Sequence, residues 1–273
     1  MRVLLTNDDG IEAEGLQTLR RALLEIDHIE LATIAPDSNR SAIGRGITTR
    51  EPLWVQEVDF GDGTVGYATS GTPVDCVRFA NLGLVEGFEP DLVVSGINHG
   101  ANLGDDISYS GTVAAALEGV VLGIPAIAVS QQSTSREMDF RLGRQYDFAL
   151  GARFIARIVE EIDDVPLPPG TLLNVNVPAG EPDGVEVTRL GKRIYRDRLE
   201  LDETDEEGAR RRYWIYGSDP GFEEEPGTDL TAIAAGRIAV TPVHFDLTDI
   251  DGMATLERYD LARLVEPAAR EVE

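Results

Sequence analysis

The chain has 273 residues, 42% of them hydrophobic, which is enough for one large α/β domain with a substantial core. Forty-nine acidic against 24 basic residues give a formal net charge of -25, a balance that argues against nucleic-acid polymers and anionic membranes as partners. No apolar run approaches a bilayer-spanning length, the first residues lack a leader-like pattern, and the single cysteine, Cys76, excludes an intramolecular disulfide and a cysteine-based zinc site.

Residues 3–6 read as an apolar strand running straight into Asn7-Asp8-Asp9-Gly10. Leu16, Leu19 and Leu23 mark a helix over 15–24, and 29–35 is a strand stopped by Pro36. Segments 48–58 and 64–69 are β-like; Thr72 then caps, and Pro73 opens, a helix to about residue 82. A buried strand at 91–95 leads into a glycine- and asparagine-rich loop over 96–111. Next come a helix at 113–122 ending at Gly123, a strand at 126–130, a long helical segment at 139–162 and a strand at 172–177. The pattern then loosens: a mixed charge run at 196–212 and an acidic stretch at 219–229 read as exposed faces, before a strand at 237–243 and a final helix at 253–264. Cys76 is expected to pack in the core.

This alternation predicts an α/β fold, a Rossmann-like, mostly parallel sheet flanked by helices. Residues 1–185 are expected to form the catalytic core. Residues 186–273 would add a C-terminal extension with a β-hairpin arm, packed on the core as one structural unit.

Ligands of open parallel sheets bind outside the carboxyl ends of the strands. Four polar clusters fall at such places, at residues 7–9, 37–41, 95–102 and 108–112, and are expected to meet in one cleft. Adjacent Asp8 and Asp9 can converge only if the chain turns, which Gly10 permits, and two close carboxylates repel unless a cation sits between them. Asn-Asp-Asp-Gly is also ordinary turn chemistry. Carboxylates with neutral oxygen donors suit a hard cation, Mg²⁺ or Mn²⁺. Tyr109-Ser110-Gly111-Thr112 places hydroxyls and free amides at a helix start, where phosphate binds and where Ser110 or Thr112 can serve as cap. No P-loop is present, and Gly44-Arg45-Gly46 lacks the third glycine of a dinucleotide fingerprint.

Five ordered segments carry a resemblance: residues 3–11 (VLLTNDDGI), 35–41 (APDSNRS), 71–77 (GTPVDCV), 94–102 (VSGINHGAN) and 109–116 (YSGTVAAA). Together they resemble the survival protein E (SurE) family, with thinner likeness at 174–178 and 240–242. The resemblance implies a metal-dependent nucleoside monophosphate phosphatase acting at the 5′ and possibly the 3′ position, using one divalent cation. It implies metal ligation by Asp8, Asp9, Ser41 and Asn98, with Asp8 and Asp9 catalytic. It further implies phosphate contacts from Ser110, Gly111 and Thr112, with Asn98 and Asn102 beside the substrate, and a homodimer or homotetramer formed by exchanging a C-terminal arm.

His99 and His244 read as solvated loop histidines, and Asp246 as a polar residue of that arm whose reach is open. Ile250 stands where some relatives carry a histidine. Two other readings compete: an aspartyl-nucleophile phosphatase, for which the adjacent aspartates and the lone Lys192 are a poor match, and a nucleotide-binding sensor without hydrolysis. With one lysine among 24 basic residues, the acidic composition also predicts a salt-rich cytoplasm, where about molar salt shortens the Debye length to about 3 Å.

Overall fold

A computed structural model describes residues 1–138, 144–204, 210–215, 220–259 and 261–265. Its first strand, β1 (Arg2–Thr6), has Val3, Leu4 and Leu5 all wholly buried. A strand with both faces apolar belongs between two layers of helices, and that is its place here. After α1 (Glu14–Leu24), β2 (Glu30–Pro36) returns parallel to β1, and β3 (Val55–Asp59) and β4 (Val65–Thr69) form a hairpin beyond it. Next come α2 (Pro73–Asn81), β5 (Leu92–His99), α3 (Gly111–Val121), β6 (Ala126–Gln131), α4 (Ala149–Glu160) and β7 (Thr171–Val177).

Beyond β8 (Val185–Val187), β9 (Arg193–Ile194) pairs with β12 (Gly221–Phe222), and β10 (Glu200–Thr204) with β11 (Arg211–Trp214), as two small antiparallel ladders off the main sheet. The chain then forms α5 (Asp229–Ala234), β13 (Ile238–His244) and α6 (Ile250–Leu256). The nine-stranded main sheet runs β3-β4-β2-β1-β5-β6-β7-β13-β8, parallel from β4 through β7. One apolar layer joins α1 and α4 to one face, and a second joins α2 and α3 to the other. Among the described residues no helix is long and apolar enough to cross a membrane.

Because β2 lies on one side of β1 and β5 on the other, the winding reverses between β1 and β5. A crevice opens at the carboxyl ends of strands that diverge in this way. Asp8 and Asp9 follow β1, and Asn98 lies near the end of β5. Topology alone therefore brings these side chains to one edge.

The structure changes several expectations. The strand at 91–95 continues to His99 through an irregularity between Ser95 and Asn98. Gly96 permits this at φ +134°, where an added Cβ would lie 2.3 Å from the Val129 carbonyl oxygen. Of the segment 48–58, only the end is strand, because Thr48 is drawn aside by Asp75, which accepts from its amide (3.1 Å) and its hydroxyl (2.7 Å). The segment 139–162 is helical only over Ala149–Glu160. Its residues 139–143 lie outside the described residues, and Gln145 instead accepts a backbone hydrogen bond from Thr134 (2.9 Å). The charge run at 196–212 contains the exposed β10–β11 ladder, with 205–209 outside the described residues, as is residue 219 of the acidic stretch. The final helix begins earlier, at Ile250, capped by Asp249, and a separate 3-10 turn covers Leu261–Leu264, with residue 260 outside the described set.

Gly15 lets α1 approach β5 at the crevice: a Cβ there would lie 2.1 Å from the Ile97 carbonyl oxygen and 3.1 Å from the Phe148 ring. Gly15→Ala must push these backbones apart next to Asn98. A loss of about 1–3 kcal/mol is expected in urea unfolding; an unchanged midpoint and slope would contradict this packing.

Candidate active site

The turn after β1 divides its labour among four residues. Asn7 closes it: its Nδ2 donates to the Gly10 carbonyl (2.8 Å) and its Oδ1 accepts from the Gly10 amide (3.2 Å). Gly10 takes φ +110°, a conformation open to glycine and strained for other residues. The turn is thus satisfied without either aspartate. Asp8, 2% exposed, packs against the first turn of α3, where Thr112 donates its hydroxyl to Asp8 Oδ1 (2.5 Å). Gly111 makes the approach possible, since a Cβ there would lie 2.7 Å from Asp8 Cβ and Oδ2. Ser110 is the N-cap, accepting from the Val113 amide (3.1 Å).

Asp9 is held from the side. Its Oδ2 accepts both the His99 amide (3.0 Å) and His99 Nδ1 (2.7 Å), and its Oδ1 accepts from Asn39 Nδ2 (3.1 Å). Asn39 Oδ1 in turn accepts from the Ser41 amide (2.9 Å), which ties the loop after β2 to Asp9. His99 is therefore not the solvated bystander expected: it is half-buried, bonded to Asp9 and packed edge-on to Tyr146 and Phe148. Burial opposes its protonation, but the Asp9 hydrogen bond and nearby carboxylates outweigh that and raise its pKa.

Asp8, Ser41, Asn98, Asn102 and Ser110 line one small pocket, together with Ala42, Asp106 and Tyr109. Gly111 and Thr112 contact Asp8 but do not line the pocket, and neither does Asp9. Asn98 donates Nδ2 to the Gly100 carbonyl (2.7 Å), a bond that leaves its side-chain oxygen as the available donor atom toward a cation. Asn102 is fixed from β6 and β7: its Nδ2 donates to Ser130 Oγ (2.8 Å), its amide to Asn176 Oδ1 (2.8 Å), and its carbonyl accepts from Asn174 Nδ2 (3.0 Å) and Asn176 Nδ2 (2.9 Å). Ala42, beside Ser41, is held at φ +59°, a left-handed conformation that costs a non-glycine residue about 1–2 kcal/mol. Such strain clusters at functional sites.

His244 and Asp246 are not brought to this pocket. They line a separate open concavity of about 890 Å³ with Val120, Val121, Pro169 and Thr248. Cys76 is wholly buried, as expected, and desolvation pushes its thiol far above the ordinary range. Sequence reasoning missed Asn39, Ala42, Asp106, Ser130, Asn174 and Asn176. The last two carried a signal, because asparagines two apart in a buried strand face the same side.

Burial and the charge of Asp9 raise the Asp8 pKa to about 6, against the lowering effect of Thr112. Ionised Asp8 is thus disfavoured, the condition that a cation relieves. Among the described residues no three His, Cys, Asp or Glu side chains form a metal-binding group. A cation here would depend on two carboxylates and neutral oxygens, a donor set that fits a hard divalent ion. The linkage sign follows: with the folded pKa above the unfolded one, this contribution to stability is full below about pH 4 and lost as pH rises past about 6. Asp8→Asn should therefore stabilise the metal-free protein at pH 7.5 by on the order of 1–2 kcal/mol and not at pH 4. Thermal unfolding in chelator reads this; equal shifts at both pH values would refute it.

The geometry can be compared with known proteins. The family model described as survival protein SurE matches residues 3–197. A protein of Rubrobacter xylanophilus named 5′-nucleotidase SurE is 55% identical over 270 residues, covering 97% of this chain and 99% of that protein. A protein of the same name from Pelotomaculum thermopropionicum is 46% identical over 260 residues, covering 94% and 95%. The crystal structure of the SurE protein from Aquifex aeolicus superposes with a TM-score of 0.77 at 38% identity, covering 94% of this chain and 99% of that one. On sequence, length and fold together, this chain belongs to the SurE family.

Proposed function

We propose that this chain is a divalent-metal-dependent 5′-nucleotidase that hydrolyses nucleoside monophosphates to nucleoside and inorganic phosphate. The observation that carries the reading is the convergence of Asp8, Ser41, Asn98, Asn102 and Ser110 on one pocket beside the N-terminus of α3. Relatives named 5′-nucleotidase SurE, matched over nearly their whole length, support it.

In this reading Asp8, Asp9, Ser41 and Asn98 hold one cation, Mg²⁺ or Mn²⁺. When bound, such an ion supplies positive charge that draws in phosphate, polarises phosphorus and acidifies water. The chain does the rest. Ser110, Gly111 and Thr112 open α3, whose first turn and positive dipole end receive the phosphoryl oxygens. Asn102, braced on both sides, orients the phosphate. Asp8 faces the same space and accepts the proton of the water that attacks in line with the leaving ribose oxygen. His99 and Asn39 keep Asp9 from rotating away.

The same reading includes a homodimer or homotetramer that uses the C-terminal arm, and residence in a salt-rich cytoplasm. The exposed apolar side chains of α6, including Ile250, Met253 and Leu256, suit a helix that is covered in an assembly.

A phosphate-release panel of nucleoside 5′- and 3′-monophosphates with Mg²⁺, Mn²⁺ or chelator in concentrated potassium chloride tests the proposal. Release is expected with metal and not with chelator, and Asp8→Asn is expected to lose about 10³-fold or more in kcat with its fold retained. Nucleotide binding in Mn²⁺ without phosphate release would instead make the chain a sensor. A trapped phosphoenzyme would make it an aspartyl-nucleophile phosphatase.

A further inference from the structure

The pocket is too small for a nucleotide. Its cavity volume is about 10 Å³, close to one water-sized sphere, so with the phosphate held at the start of α3 the sugar and base of a nucleotide lie toward the surface. Tyr109 is the one aromatic residue of the pocket wall and is 54% exposed. Among the described residues no aromatic or cation–π contact engages its ring.

Its backbone, in contrast, is fixed. The Tyr109 amide donates to the Asp106 carbonyl (3.0 Å), and its carbonyl accepts from the Gly44 amide (3.0 Å). The turn below it is braced by a buried ion pair: Arg193 Nε donates to Asp106 Oδ2 (2.7 Å), Tyr195 donates its hydroxyl to Asp106 Oδ1 (2.8 Å), and the Arg193 amide donates to Asp105 (2.9 Å). A half-bare ring thus stands on a rigid support one residue before the cap of α3.

We infer that Tyr109 is the platform on which the substrate's base stacks, and that it turns a general phosphate pocket into one selective for nucleoside monophosphates over simpler sugar phosphates. The inference rests on the nucleotidase reading and deepens it. An aromatic face is sequence-tolerant, since every base presents a π surface, and stacking on it strengthens binding about 5- to 150-fold. Two χ angles make the ring cheap to order.

The test compares adenosine 5′-monophosphate with ribose 5-phosphate, which has no base. In Tyr109→Ala the ratio of the two kcat/KM values should fall about 10-fold, through KM for the nucleotide, while Tyr109→Phe keeps the wild-type ratio, because stacking needs the ring and not the hydroxyl. An unchanged ratio in Tyr109→Ala overturns the proposal, as does a change in its solution mass, which would make Tyr109 a subunit contact. If the wild type releases phosphate from neither compound, the nucleotidase reading fails on its own. Equilibrium dialysis of adenosine 5′-monophosphate with Mn²⁺ then decides the platform: about 10-fold weaker binding to the Ala variant than to the wild type or the Phe variant supports it, and equal binding overturns it.

Discussion

The structure turns on one contact: the Asp8 carboxylate buried against the first turn of α3. An ionised acid in such a place is costly unless opposite charge is near, and here the neighbouring acid makes matters worse. Hydrogen bonds from the hydroxyl and the backbone amide of Thr112, with the positive end of a helix, offset part of that cost. In the proposed reading, a cation relieves the cost that remains, beside a helix start that receives the phosphate.

Around that contact, most of the polar groups serve as supports. Asn7 and Gly10 make the turn, so that Asp8 and Asp9 need not. His99 and Asn39 divide the two oxygens of Asp9 between them, and Asn174, Asn176 and Ser130 anchor Asn102. Asp229 holds the loop after β5 from the far end of the chain, accepting from the amides of Gly104 (2.8 Å) and Gly191 (2.8 Å). Among the described residues the second half of the sequence lines no part of the pocket, but it fixes the loop that bears Asn102 and Asp106. A site built on rigid strand ends and braced from behind loses little entropy when it binds.

Much of this was legible beforehand, for physical reasons. The α/β alternation was readable because strands buried on both faces are continuously apolar, and the cleft followed from where the polar clusters fell along that alternation. The Thr72 cap, and a cap at Ser110 or Thr112, were readable because their spacing is local, and the structure adds Asp75 as the partner in a capping box and places the second cap at Ser110. Non-local features were not. Nothing near residue 48 announces that Asp75 will pull it out of a strand, and nothing near His99 announces Asp9, 90 residues away. The six-residue α5 is too short to show periodicity, and the strand break expected at Gly96 proved to be a register shift within a strand that continues past Asn98, which lines the pocket.

The central claim is that Asp8, Asp9, Ser41 and Asn98 form one cation site at the switch between β1 and β5. Crystals grown with Mn²⁺ and measured on the high-energy side of its absorption edge test it most directly. The account predicts an anomalous peak bounded by oxygens of these four side chains. Manganese bound elsewhere, with no peak among them in a correctly folded molecule, would contradict it.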